Sequence, residues 1–495
     1  MARGAGLLKI LFLCMSGKEM ISIKQRIEED FPADIIGTIP LSIIQTSQSV
    51  LDIFDINDFL RKSGFTLLNA FPYHNYREKY ETLYRQKIEQ DNLDGFSLVI
   101  ITTDSLDQVD FDILEIGERD FRVFNYSFPQ LFPSRISAIE KLTHNLPGNS
   151  KDWFSFAQKL GELLFQFHKS DESYEYVSIL FQLVDKINLI FSNWCDSNYS
   201  LVLTAPYIHS PQTLNNILSH IAYKRRKQEI EKVALLVFDG MSFDQWELIK
   251  KEISFINTVQ VEETGIFAMI PTLTSVSRQA IFSGKLPKEY SQSINTTQKE
   301  KEYWDIFWEA ENNTEAKFIK PQEDFQKQFE RLKEIIEDDR VNIIGTVFPI
   351  VDELMHKMSQ GYSQMYNSIQ LWLKHGYFNE IIKELIKQEY DIYITADHGN
   401  IEALPGRKLN EGIIVETKGQ RVRVYDRETA REKAMVNYED LMKIESAKYA
   451  LPDSYFAVAQ KKAEYFGTAG PVITHGGISV QEVIVPFIHI KKEQE

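Results

Sequence analysis

Cysteine is nearly absent. Only Cys14 and Cys195 occur in 495 residues, which excludes a disulfide framework and points to a reducing compartment. Glycine (23) and proline (16) are too sparse for a low-complexity or fibrous protein. No apolar run approaches the roughly 18 residues of a membrane span, so no membrane partner is expected. Residues 7–14 (LLKILFLC) carry Lys9 inside the apolar run, and no small-residue cleavage site follows. Bulky Leu13 also argues against a lipoprotein at Cys14, and the stretch reads as a first strand of a cytoplasmic protein. Positive charge is scarce as well. Against 71 Asp and Glu stand 55 Lys and Arg, a net −16, which excludes a general nucleic-acid coating protein but leaves room for a local basic patch.

What is present is ordinary globular composition, 43% hydrophobic and 25% charged, in a chain long enough for two or three domains. Residues 1–147 alternate apolar runs (10–13; 96–102, FSLVIIT) with amphipathic stretches such as 78–90, the pattern of a small α/β domain. It has no glycine-rich phosphate loop. A receiver domain would need an acidic pair after the first strand, where Cys14-Met15-Ser16-Gly17 stands. Asp104 reads as a helix cap, and no role is assigned to this domain. After the breaker at 146–150 (LPGNS), residues 151–230 form a helical connecting region with runs at 154–167 and 176–191. The basic cluster 224–227 (KRRK) in it reads as a solvated helix face.

From 231 to 495 the pattern is α/β, with a mostly parallel sheet flanked by helices. The runs 232–238 (KVALLVF), 341–348 (VNIIGTVF) and 390–395 (YDIYIT) lead to Asp239, to Asp352 and to Asp397-His398 respectively. Bounded apolar runs fit strands covered on both faces. Ligands in such sheets bind beyond the strands' carboxyl ends, so the function belongs to this half.

The candidate ligands are Asp239, Asp352, His356, Asp397, His398 and His475. Asp352 and His356 are four apart, one helical turn on one face. Gly399 permits the turn that adjacent Asp397 and His398 need, and Gly476-Gly477 after His475 lets backbone approach closely. Three carboxylates and three imidazoles suit two divalent ions of the zinc or manganese type. Each residue also has a structural explanation, since an Asp after a strand is commonly a turn former or cap. In the segment 270–275 (IPTLTS), Pro271 precedes a helix expected over 274–282. A hydroxyl there lies where helix N–H groups favour an anion, yet Thr and Ser are also the preferred caps, and the segment alone favours the cap.

The series LLVFDGMS (235–242), PTLTS (271–275), DELMH (352–356), ADHGN (396–400) and THGGISVQEVIVPF (474–487) resembles the PglZ domain of the alkaline phosphatase superfamily. The resemblance covers about 230–490. It implies an alkaline-phosphatase-like sheet and a bimetallic phosphotransfer site, zinc foremost with manganese second. Asp239, Asp397 and His398 would hold one ion, and Asp352, His356 and His475 the other. Thr274 would be the nucleophile of a phosphothreonine pathway, ahead of Thr272 and Ser275. Metal coordination is the chemistry that activates a threonine hydroxyl. Neither cysteine has the Pro and Arg context of a sulfatase, which argues against that branch. A phosphoglycerate mutase is excluded because no large insertion separates Thr274 from the next strand.

The resemblance implies a metal-dependent phosphodiesterase or phosphatase of bacterial phage defence of the BREX and Pgl type. A nucleotide or nucleic-acid phosphodiester is the expected phosphorylated substrate, since no Arg is evidently positioned for a dianionic monoester. The alternative is a non-catalytic scaffold subunit of a multi-protein defence complex. The excursion 402–425, with Arg407, Lys408, Lys418, Arg421 and Arg423 against Glu402, Glu411 and Glu416, is locally basic. It is expected either to reach a substrate phosphate or to form a solvated hairpin. Arg278, one turn beyond Thr274, is expected at the surface or on substrate.

Overall fold

The computed structural model describes residues 27, 29–46, 56–70, 76–90, 92, 94–103, 106, 109–119, 122–126, 147–169, 177–253, 259–321, 325–357, 361–406, 409, 412–414, 416, 419–438, 441–468 and 470–491. The strand expected at 10–13, Cys14 and Asp104 lie outside them, as do Arg407, Lys408, Glu411 and Lys418 and the side chain of His356. By its contacts the chain divides into two compact units, one of 1–141 with 166–178 and one of 142–165 with 179–495.

Among its described residues the first unit holds four parallel strands, β1 (Leu41–Thr46), β2 (Thr66–Asn69), β3 (Leu98–Thr102) and β4 (Val123–Tyr126), in the order β2-β3-β1-β4. Strand β3 (LVIIT) is buried along its whole length, which is why its sequence does not alternate. Leu41, Ile43, Leu98 and Ile100 face a core closed by Tyr76, Tyr80 and Ile113.

The second unit is built on a six-stranded sheet. Its strands are β5 (Lys232–Phe238), β6 (Gln260–Phe267), β7 (Lys317–Ile319), β8 (Ile343–Phe348), β9 (Tyr390–Ala396) and, after six short strands, a last one near the chain's end. The short strands form two three-stranded sheets. They are β10 (Ile401–Pro405), β11 (Val422–Tyr425), β12 (Met442–Ile444), β13 (Phe456–Ala459), β14 (Glu464–Tyr465) and β15 (Val472–Thr474). The last strand, β16 (Ile484–Lys491), runs antiparallel between β6 and β9, while β9, β5, β8 and β7 are parallel. Strand β8 starts two residues later than its apolar run, because Val341 closes a turn onto the Asp338 carbonyl (2.9 Å).

Both faces of this sheet are covered, as uninterrupted apolar strands require. Phe238 of β5 packs its ring on Phe348, on Trp372 from helix Gly361–Lys374, and on Phe378 from helix Tyr377–Lys387. Phe267 at the end of β6 meets Phe154 from helix Ser150–Lys169 and Trp194 from helix Val177–Val202. Strands β5, β8 and β9 end at the same edge, which brings Asp239, helix Ile350–Lys357 and Asp397-His398 together. No helix among the described residues is long and apolar enough to cross a membrane.

The closing HGG motif is fixed by a buried ion pair. Glu482 accepts from Gly477 N (2.7 Å) and Ser479 N (3.1 Å), closing a capping box on the short helix Val480–Val483. The Arg421 Nε donates to the same carboxylate (3.1 Å), and both side chains are fully buried. Removing one partner strands the other charge in the interior. Glu482→Leu should therefore lower unfolding stability by about 3–5 kcal/mol in urea titration. A change below about 0.5 kcal/mol would mean that the pair carries no structural load.

Candidate active site and metal centre

Asp239 follows β5 and is buried. Its Oδ2 accepts from Arg278 Nη1 (3.1 Å), and Arg278 Nη2 donates to Glu300 (2.6 Å). Arg278 is therefore interior, correcting its expected place on the surface or on substrate. Burial opposes its charge, but Glu300, Asp239 and Asp397 outweigh that and raise its pKa.

Asp397 follows β9 with no exposed surface. Its Oδ1 accepts from Gly240 N (3.0 Å) and His398 N (2.9 Å). Its Oδ2 is buried with no hydrogen-bond partner. Burial, and then the charge of Asp239, pushes its pKa well above the usual carboxylate range. An orphaned carboxylate oxygen in the interior is costly unless a proton or a cation completes it.

His398 is neutral for a definable reason. Burial, then the neighbouring His475, lowers its pKa far below the ordinary imidazole value. A carbonyl only accepts, so the contact of Nδ1 with Gly399 O (2.9 Å) fixes the proton on Nδ1. The Nε2 lone pair then faces outward, 2.9 Å from Thr274 Oγ1, 3.8 Å from Asp239 Oδ1 and 3.7 Å from Asp397 Oδ2. Ligand atoms of Asp239, Asp397 and His398 all lie within 4.8 Å of one another. Two carboxylates, one oxygen of them unpartnered, and a ligand-competent imidazole nitrogen form a donor set that fits a divalent ion.

His475 stacks on His398 at 4.1 Å and donates from Nδ1 to Thr272 O (2.8 Å), which again leaves Nε2 as the nitrogen with a lone pair. Asp352 and His356 share helix Ile350–Lys357 as their spacing predicts. A Cβ added to Gly240 would stand 3.8 Å from Asp352 Cβ and 3.7 Å from His398 Cε1, so Asp352 begins beside the cluster. Gly399 is needed for close approach rather than for a turn, because a Cβ there would lie 1.9 Å from Gln481 O.

The helix after Pro271 spans Thr274–Ser283, and its N-cap is Leu273, whose side chain caps nothing. Thr274 therefore does not fill the capping role that its residue type favours. Its hydroxyl donates to His398 Nε2 and lies 3.4 Å from Asp239 Oδ1. Thr272 is committed elsewhere, donating to Gly477 O (3.0 Å) and accepting from Gly476 N (3.0 Å). The Ser275 hydroxyl is buried without a partner.

A family model for the "BREX system PglZ alkaline phosphatase-like domain" matches residues 219–490, more than half of the chain. The chain belongs to the PglZ family. No curated protein matches the sequence. Among solved structures, it is similar to murine ectonucleotide pyrophosphatase/phosphodiesterase 5, with 13% identity and a TM-score of 0.42 over 53% of this chain and 88% of that one. It is also similar to a phosphonoacetate hydrolase from Sinorhizobium meliloti 1021 in complex with phosphonoformate (14%, TM-score 0.37, 54% and 91%).

Several residues that brace this PglZ site were not among the candidates read from the sequence. Asn400 is fully buried and donates to Gly240 O (2.6 Å) and Gln245 Oε1 (2.9 Å), while accepting from Tyr362 (2.7 Å). It thereby locks the turn after β5 to the turn after β9. Glu300 and Gln245 act through comparable long-range bonds, and only Asn400 lies inside a quoted motif.

Metal uptake should rise with pH. The raised pKa of Asp397 keeps a competing proton on the ion-free site, whereas His398 is already neutral and adds no competition. Zinc affinity is expected to increase as pH rises, with proton release, read by calorimetry in buffers of different ionisation enthalpy. At a hundredfold excess over Kd, zinc should stabilise the chelator-treated protein by about 2.7 kcal/mol, and Asp397→Asn should lose most of that gain.

Proposed function

We propose that this PglZ domain is a metal-dependent phosphodiesterase with Thr274 as nucleophile, acting on a nucleotide or nucleic-acid phosphodiester in BREX-type phage defence. The observation that carries the reading is the Thr274 hydroxyl directed at the His398–Asp239 pair, with no capping bond to hold it. Asp239, Asp397 and His398 would hold one ion, and Asp352, His356 and His475 a second, zinc in the first instance and manganese as the substitute. Such ions supply Lewis-acid charge that acidifies the hydroxyl and neutralises the phosphoryl oxygens.

The chain's own residues do the rest. Arg278, clamped by Glu300, fixes one oxygen of Asp239 and leaves the other directed at Thr274. Gly240 N and His398 N hold Asp397 through one oxygen, so its second stays open to the site. Burial of all three side chains excludes bulk water and strengthens each charge interaction. The Thr274 oxygen would bond to phosphorus as the ester oxygen departs, and water would then hydrolyse the phosphothreonine. The protein would work in the cytoplasm alongside other subunits of a defence complex.

Purified protein with zinc or manganese should hydrolyse a chromogenic phosphodiester faster than the matching monoester. Thr274→Ala should lower kcat by about 10³-fold or more while retaining the metal. Equal turnover by both proteins would remove Thr274 from the mechanism. Silence of both with metal bound would favour a scaffold role.

A further inference from the structure

The amides that open helix Thr274–Ser283 are already occupied. Thr274 N donates to Glu416 Oε2 (2.9 Å) and Ser275 N to Glu416 Oε1 (2.7 Å). Two successive N–H groups at a helix start form an anion site, strengthened by the helix dipole. Here the anion is a carboxylate 142 residues away in sequence, one oxygen on the amide of Thr274, whose hydroxyl faces His398, and the other on the amide of Ser275. The Ser275 hydroxyl and Asp397 Oδ2, both at least nine-tenths buried, have no partner.

The segment bearing Glu416 is tied to the site. Gly419 N bonds to Glu416 O (3.0 Å), Gln420 N to Thr474 Oγ1 (3.2 Å) and Arg421 N to His475 O (3.2 Å). A Cβ at Gly419 would come within 2.6 Å of the Leu273 Cδ2 methyl, so the segment lies directly against the N-cap residue. The Tyr455 hydroxyl is buried without a partner, and burial followed by the charge of Glu416 raises its pKa. Arg421 and Arg423 of the same excursion turn inward onto Glu482 and backbone carbonyls and offer no cation at this position.

Resting on the phosphodiesterase reading, we propose that Glu416 is a specificity-determining residue of this site. Its carboxylate holds the Thr274 and Ser275 amides, and an incoming phosphoryl group must displace it. Once displaced, it remains a negative charge beside the bound group. That charge repels a doubly charged phosphomonoester twice as strongly as a singly charged phosphodiester.

The test uses the full-length, zinc-loaded protein, with calorimetric binding of inorganic phosphate and dimethyl phosphate at a pH where the first is a dianion. Removing the charge in Glu416→Gln should tighten inorganic phosphate by about tenfold or more, and dimethyl phosphate by much less. The monoester-to-diester ratio of kcat/KM should rise by a similar factor. Glu416→Ala should move the ratio in the same direction, whereas loss of a helix cap alone would lower the thermal midpoint and leave the ratio unchanged. Equal shifts for both anions, unchanged affinities, or no phosphate binding by any variant would overturn the proposal. Selective tightening of phosphate without turnover of either ester would uphold Glu416 and overturn the hydrolase reading instead.

Discussion

Two carboxylates, Asp239 and Asp397, are buried side by side at the ends of adjacent parallel strands, and much of the second unit is arranged around the cost of that burial. Desolvation and mutual repulsion both disfavour the doubly ionised state. Arg278 answers one charge, and backbone amides from Gly240 and His398 answer part of the other. Glu300 in turn answers Arg278. Asp397 Oδ2 stays unpartnered beside an imidazole nitrogen with a free lone pair, and a divalent cation would complete that arrangement by ordinary ligand chemistry. Asp397 Oδ2 is thus the unpartnered carboxylate oxygen of the Asp239–Asp397 pair, the point where a cation would fit.

The balance is enforced by backbone contacts that tolerate little change. Gly399 lies against the Gln481 carbonyl, and Asn400 bonds across to Gly240 and Gln245. Thr272 joins the segment before the helix to Gly476 and Gly477, while His475 returns a bond to Thr272 O. Motifs some 200 residues apart are therefore one structural unit. The contact of the Thr274 hydroxyl with His398 is set within this one unit.

Among the described residues of the excursion 402–425, charge is not placed as composition alone would suggest. The excursion 402–425 is basic by composition, but two of its arginines are consumed inside the protein, where they satisfy carbonyls and a buried glutamate. The side chain it brings to the helix start beside Thr274 is the acidic Glu416. At this position the net composition of the segment does not give the sign of the charge beside Thr274, because the fold turns Arg421 and Arg423 inward.

Much of this was legible beforehand. The apolar runs at 232–238 and 390–395 became β5 and β9 almost residue for residue, because a strand buried on both faces leaves no polar alternation to misread. The motif order and residue types likewise announced a cluster at the strand ends and the PglZ family. Only the tertiary structure decided that Leu273 rather than Thr274 is the cap residue, that Arg278 is interior, and that Glu416 holds the helix amides. These outcomes depend on hydrogen bonds between residues tens to hundreds apart. Local periodicity and capping preference report on a few neighbouring residues, whereas a buried polar group takes whichever partner the packed chain brings within reach.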